Sequence, residues 1–252
     1  MDMSSPEKEK RVRLFVSCLV DNFFPEVGEA MLRVLSSMGL EIEFPRNQTC
    51  CGQPAFNSGH RKEAEKVARH FLDVFGNSDE AIVCPSGSCV SMVKNYYAEL
   101  FRNDPEELSR VEEISSKIYE FSEFVFQRKE TLSLNSSYKG RVTFHDSCHA
   151  LRELGISYQP RELIKSLSGV ELVEMKMADA CCGFGGTFSI KYPEVSKSML
   201  QEKTDSIINS GAEAVVSTDM GCLMNIKGLV SRKKLPVKVF HLAELIAFEG
   251  TE

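Results

Sequence analysis

Nine cysteines are the residues of this chain best suited to chemistry, and they fall into two copies of one pattern. The first copy is Cys18, the pair Cys50-Cys51 followed by Gly52, then Cys84 and Cys89. The second is Cys148, the pair Cys181-Cys182 followed by Gly183, then Cys222. The step from lone cysteine to pair is 32 positions in one copy and 33 in the other. Thiolates are soft ligands, and sets of four or five favour zinc or iron-sulfur clusters. Adjacent cysteines serve a single tetrahedral zinc poorly because their side chains diverge, whereas a polynuclear cluster offers each of them its own iron. A glycine after each pair lets backbone approach inorganic sulfide closely. A duplicated multi-thiol metal site is therefore the first expectation.

The duplication extends beyond the cysteines, which fixes the architecture before any element is assigned. Val12 to Cys18 (VRLFVSC) pairs with Val142 to Cys148 (VTFHDSC), and Gly39-Leu40-Glu41-Ile42 pairs with Gly169-Val170-Glu171-Leu172, both at an offset of 130. Ala81-Ile82-Val83 matches Ala214-Val215-Val216 at 133, and Ile118 to Phe124 is similar to Val239 to Leu245. The offset of 133 sets Cys84 opposite Ser217 and Cys89 opposite Cys222.

The elements that must hold these thiols follow from hydrophobic period. Short β-branched runs predict strands at 12–16, 41–44 and 81–83 in the first half, and at 141–146, 170–174, 213–216 and 236–240 in the second. Helical spacing predicts helices at 24–38, with Val27, Ala30, Met31, Val34 and Leu35 inward and Gly39 as the stop, and at 58–75. The run from 91 to 127 reads as mostly helical, broken near Asn103-Asp104-Pro105, and the second half supplies helices at 160–168, 192–209 and 241–248. Strands alternating with helices imply parallel sheets, so the expected fold is α/β, two homologous Rossmann-like repeats related by a pseudo-twofold. The first cysteine-rich repeat spans 11–132 and the second 140–249, with a flexible terminus at 1–10 and a polar linker at 133–139. In such folds ligands sit at the carboxyl ends of strands, which is where these cysteines fall.

Composition removes several classes of function. A net charge of −6 and an isoelectric point near 5.6 argue against nucleic acid, and Arg232-Lys233-Lys234 reads as a solvated helix end. The charged amino terminus lacks the apolar core of a signal peptide, and no apolar run approaches membrane-spanning length, so a cytoplasmic protein without a membrane span is expected. There thiols stay reduced, which favours metal or redox chemistry over disulfides. Zinc, disulfides and plainly buried cysteines remain the alternatives. His145 and His149 flank Cys148 at the spacing of a zinc-protease helix, but Asp146 stands where that motif needs glutamate. Orienting the loop, donating hydrogen bonds to cluster sulfur, or packing alone are the roles open to them. Gly183, Gly185 and Gly186 do not fit a dinucleotide fingerprint, and no nucleophile elbow or phosphate loop occurs.

The Cys-Cys-Gly arrangement, doubled across nearly the whole chain, resembles the cysteine-rich (CCG) domain superfamily, which includes the doubly cysteine-rich component of heterodisulfide reductase and the iron-sulfur subunit of glycolate oxidase. Together with the segments CPSGSC (84–89) and FHDSCHALRELGI (144–156), the chain is most similar to the lactate utilization protein A family. That resemblance implies an iron-sulfur subunit acting in oxidation of L-lactate to pyruvate, relaying electrons with companion proteins, one of them of ferredoxin type. It implies one cluster per repeat, cubane 4Fe-4S or non-cubane, with Cys18, Cys50, Cys51, Cys84 and Cys89 as the first ligand set and Cys148, Cys181, Cys182 and Cys222 as the second. Gly52, Gly183, His145 and His149 would lie next to the cofactor, and no catalytic residue is assigned. The chain leaves four residues between Cys84 and Cys89 where heterodisulfide reductase has two, and its second set has four cysteines instead of five. It also lacks the cysteine run of ferredoxin-type clusters, which a partner would supply. The alternatives are an electron-transfer subunit of the heterodisulfide reductase or glycolate oxidase type, and a zinc-stabilised interaction module without redox chemistry.

Overall fold

Eight strands form two sheets of one plan in the computed structural model, which describes residues 10–133 and 136–250. The first sheet comprises β1 (Arg11–Leu14), β2 (Glu41–Glu43), β3 (Ala81–Cys84) and β4 (Ile118–Glu120), in the order β2-β1-β3-β4. The second comprises β5 (Gly140–Phe144), β6 (Val170–Leu172), β7 (Ala214–Ser217) and β8 (Lys238–His241), in the order β6-β5-β7-β8. Every pairing is parallel. Strands β3 (AIVC) and β7 (AVVS) are buried at every residue, as parallel strands covered on both faces must be.

Each sheet has an inner and an outer layer. The inner faces share one core, with Val12, Leu14 and Val83 of the first repeat packed into the same cluster as Val142, Phe144 and Val216 of the second. The helix Pro25–Ser37 buries Val27, Ala30, Met31, Val34 and Leu35, the stripe its sequence predicts, and Gly39 ends it at φ +77°. That helix packs on Leu242–Ile246 of the other repeat, while Tyr158–Lys165 packs on Phe121–Gln127. The two contacts exchange equivalent elements, the signature of a two-fold relation. The outer face of the first sheet is closed by Phe15, Phe71, Phe75 and Tyr97 in edge-on and tilted ring contacts. The outer layer of the second repeat is built on Ile207, Val215 and Ile226.

The structure departs from the sequence reading in four places. The run 91–127 is not helical throughout: after a π-helical turn at Met92–Tyr96 and the helix Pro105–Lys117, the chain enters β4. Three residues flanked by helices are too short for a periodic signal, and only pairing with β3 makes them a strand. The expected helix 58–75 begins at Arg61, and a short helix that was not expected, Gln53–Asn57, precedes it across Gly59 with φ +84°. Short helices Cys18–Phe23 and Cys148–Leu154 follow the first strand of each repeat. The described part of the linker is pinned: Ser136 Oγ donates to the Leu245 carbonyl at 2.7 Å, and Tyr138 is buried against Phe240 and Phe248. The flexible terminus expected at 1–10 lies, apart from Lys10, outside the described residues, as do linker positions 134 and 135.

Candidate metal centre

In both sheets the strand order reverses between the first and third strands of the repeat, which opens a crevice at their carboxyl ends. Cys18 opens the helix after β1, Cys84 ends β3, and Cys89 lies in the helix Gly87–Ser91. Cys50 and Cys51 arrive from the loop after β2. The second repeat follows the same plan: Cys148 opens the helix after β5, Cys181 and Cys182 follow β6, and Cys222 sits in the first turn of Met220–Lys233. Four of the nine thiols thus lie at helix amino ends, where unsatisfied N–H groups and the helix dipole favour negative charge.

All five cysteines of the first repeat come together. Cys18 Sγ is 3.6 Å from Cys50 Sγ, and the contacts continue from Cys50 to Cys51, from Cys51 to Cys89 and from Cys89 to Cys84. In the second repeat the row runs Cys148, Cys181, Cys182, Cys222. All nine are free thiols. Ionisation alternates along the first row, whereas in the second only Cys181 is lowered. Hydrogen bonds from Cys18 and Cys51 pull Cys50 down to about 3, and those from Cys51 and Cys84 pull Cys89 down to about 5. Cys18 and Cys51, as donors to Cys50, are pushed up, and burial does the same to Cys84. Cys181 is likewise lowered by Cys148 and Cys182, which rise. Metal binding to such a row would displace the shared protons.

The glycines serve the pair more directly than expected. Gly52 N–H donates to Cys50 Sγ and Gly183 N–H to Cys181 Sγ, each at 3.4 Å. The residues stand at φ +85° and +82°, a conformation in which L side chains are strained. A Cβ on Gly183 would also come within 2.6 Å of the Ser196 carbonyl oxygen. Glycine is thus required by backbone conformation and by a neighbouring helix.

Both thiol rows open on one cavity of about 200 Å³ between the repeats, lined by every cysteine except Cys84. Residues that sequence reasoning passed over tie its walls together. Asp219 Oδ2 accepts from Ser88 N–H at 3.0 Å and from Ser86 Oγ at 3.4 Å, while its Oδ1 accepts from Gly221 N–H at 3.1 Å, so one carboxylate caps a helix in each repeat. His241 Nε2 donates to the Pro85 carbonyl across the same boundary at 3.2 Å. Gln53 Nε2 donates to the Ser88 carbonyl at 3.1 Å and lies 3.4 Å from His149 Nε2. The repeat alignment carried a signal for the first of these, since Ser86 and Asp219, both good capping residues, stand opposite each other ahead of a helix.

The two histidines are not partners on one helix. His145 lies in the stretch between β5 and the helix that starts at Cys148, and only His149 is helical. His149 Nδ1 is 3.5 Å from Cys148 Sγ. His145 is fully buried, with Nδ1 3.3 Å from the Ala178 carbonyl and Nε2 without a hydrogen-bond partner. Burial first, and Lys203 second, hold it neutral with its pKa pushed down to about 3. A ligand atom of its ring and the sulfurs of Cys182 and Cys222 all lie within 4.8 Å of one another. Soft thiolates in rows, backbone N–H groups on sulfur and an orphaned imidazole nitrogen form a donor set that fits a thiolate-bound metal or iron-sulfur group.

Comparison with known proteins agrees with this geometry. The family model described as cysteine-rich domain, CCG, matches twice, over residues 12–94 and 142–227. The chain is 44% identical over 236 residues to lactate utilization protein A of Exiguobacterium sp., covering 93% of this chain and 96% of that one. It is 44% identical to lactate utilization protein A of Oceanobacillus iheyensis over a similar share. Among solved structures, a hypothetical protein from Helicobacter pylori superposes with a TM-score of 0.63 at 12% identity, over 98% of this chain and 50% of that one, a likeness of fold alone.

Proposed function

The chain belongs to the lactate utilization protein A family of cysteine-rich domain proteins, and from that premise we propose that it is an iron-sulfur redox subunit serving lactate oxidation. The observation that carries the reading is the pair of thiol rows facing one cavity at the strand ends of two repeats. The first group would be held by Cys18, Cys50, Cys51, Cys84 and Cys89, and the second by Cys148, Cys181, Cys182 and Cys222. When bound, such groups supply one-electron transfer. Oxidation of lactate to pyruvate releases two electrons and two protons, so two neighbouring one-electron centres suit a relay toward a partner. The protein's own part is to hold the thiolates at helix amino ends, to keep the two sites at a fixed separation through Asp219 and His241, and to limit solvent access. The cavity lining contains neither lysine nor arginine among the described residues, which gives a lactate carboxylate no charged partner there and favours relay over substrate binding. Companion proteins, one carrying ferredoxin-type clusters, would complete the system, and no helix among the described residues is long and apolar enough to cross a membrane.

Anaerobic purification with analysis of iron, acid-labile sulfide and zinc tests the reading. Iron and sulfide in both repeats are expected, with Cys89→Ser and Cys222→Ser each losing one site's iron. Cys84→Ser, which removes the one cysteine outside the cavity lining, should retain iron and change the spectrum. Stoichiometric zinc without sulfide would reject the redox reading in favour of a zinc-stabilised interaction module.

A further inference from the structure

The two thiol sites are unequal, and the second repeat replaces what it lacks. Cys84 and Ser217 each end the third strand of their repeat, so the second site is one thiol short. Phe15 and His145 are equivalent on structural grounds, since Phe15 N–H donates to the Val83 carbonyl at 3.0 Å and His145 N–H to the Val216 carbonyl at 2.8 Å. A second exchange accompanies this one. A Cβ on Gly52 would meet the Ala64 carbonyl, and one on Gly183 the Ser196 carbonyl, which aligns the two following helices and sets Phe71 opposite Lys203. In the first repeat Phe15 and Phe71 form an apolar edge-on pair with ring centroids 4.8 Å apart. In the second, the same place holds an imidazole and a buried ammonium whose Nζ donates to the Met177 and Ala178 carbonyls. The lysine is satisfied by those carbonyls, but an imidazole nitrogen left unpartnered where the twin repeat has a phenyl ring calls for a ligand.

The hydrogen bonding of His145 says which ligand. A carbonyl oxygen only accepts, so the contact with Ala178 puts the ring proton on Nδ1. Nε2 then carries a bare lone pair, buried and unpartnered, on a ring that has a nitrogen within 4.8 Å of the sulfurs of Cys182 and Cys222. With the proton on Nδ1, Nε2 cannot donate a hydrogen bond to sulfur; a proton on Nε2 instead would set a bare Nδ1 against the carbonyl oxygen, acceptor against acceptor. A histidine whose far nitrogen is anchored on a backbone carbonyl is the arrangement of a metal-ligating imidazole. We infer that His145 Nε2 binds the metal centre of the second repeat directly, as the nitrogen donor that stands in for the missing fifth thiolate. The second site is then a four-thiolate, one-imidazole site beside a buried lysine, less negative than the five-thiolate site facing it. This inference rests on the iron-sulfur reading above.

The test uses the full chain prepared without oxygen, labelled with ¹⁵N-histidine, with the second centre brought to its paramagnetic state. Pulsed electron paramagnetic resonance should detect a strongly coupled histidine nitrogen. The coupling should disappear in His145→Phe, which installs the residue of the first repeat, and persist in His149→Ala and in Cys89→Ser. Ser217→Cys should keep the signal while leaving the iron content unchanged. A cluster in the second repeat of the labelled wild-type protein with no strongly coupled histidine nitrogen would overturn the inference and leave the iron-sulfur reading intact, as would coupling that vanishes with His149→Ala alone. Absence of iron and sulfide from both repeats would overturn both. The wild-type measurement does not depend on any variant folding.

Discussion

Replacing Gly183 with alanine should cost far more than the same change at Gly52, although both follow a cysteine pair and both sit near φ +80°. The left-handed conformation alone costs an L-residue about 1–2 kcal/mol, and this is shared by the two sites. At Gly52 the new Cβ would stand 3.4 Å from the Ala64 carbonyl and 3.5 Å from Val67, contacts that need little adjustment. At Gly183 it would stand 2.6 Å from the Ser196 carbonyl and 3.2 Å from Met199 Cβ, and the carbonyl belongs to the backbone of the helix Pro193–Asn209. That helix cannot yield locally, because Ser196 Oγ donates to the Gly183 carbonyl at 2.8 Å and the serine is buried. Overpacking of this kind adds roughly 1–3 kcal/mol. Gly52→Ala should therefore lose about 1–2 kcal/mol and Gly183→Ala about 2–5 kcal/mol. Equilibrium unfolding in urea of the metal-free protein, monitored by circular dichroism, measures both. The larger loss should be matched by weaker loading of the second site alone, since Gly183 N–H would move away from Cys181 Sγ. Equal losses at the two glycines would refute the reasoning, because they would leave conformation as the only cost.

Glu120 is fully buried at the end of β4, and burial raises its pKa to about 8 in the folded chain. Between its unfolded value and about 8 the unfolded chain has released the proton that the folded chain keeps, so stability falls as pH rises through this window. Glu120→Gln should remove that decline, and the variant should gain on the wild type by up to about 4–5 kcal/mol as pH goes from 5 to above 8; urea midpoints across pH check it, and parallel curves would rule it out. Asp219→Ala should cost about 2–3 kcal/mol, having removed caps from two helices in different repeats, and limited proteolysis should show cleavage near the boundary between the repeats. Reconstitution with iron and sulfide in weak buffer near pH 7 should release fewer protons than there are cysteines, because Cys50 and Cys89 are ionised beforehand; loading should weaken as pH falls. Release of one proton for every cysteine would contradict the prior ionisation of these thiols.

The amino-acid sequence by itself determined the duplication, the alternation of strands and helices, and the grouping of the cysteines. Each of these is written in local patterns: β-branched runs for β3 and β7, the stripe of Val27, Ala30, Met31, Val34 and Leu35, and the glycine stop at Gly39. Even the asymmetry of Cys84 and Ser217 could be counted along the chain. Strand β4 was legible only through its likeness to β8, because three residues between helices carry no period of their own. Whether the two thiol rows would face one cavity or point apart was decided by the tertiary structure, through the reciprocal packing of helices across the shared core. So was the character of His145, for which the sequence left loop orientation, hydrogen bonds to sulfur and plain packing all open. Ala178, distant in sequence, fixes its tautomer, and burial first with Lys203 second keeps it neutral. Hydrophobic period is a property of neighbouring residues, whereas a proton's place on a ring depends on which carbonyl the fold brings against it, and that is settled only when the whole chain packs.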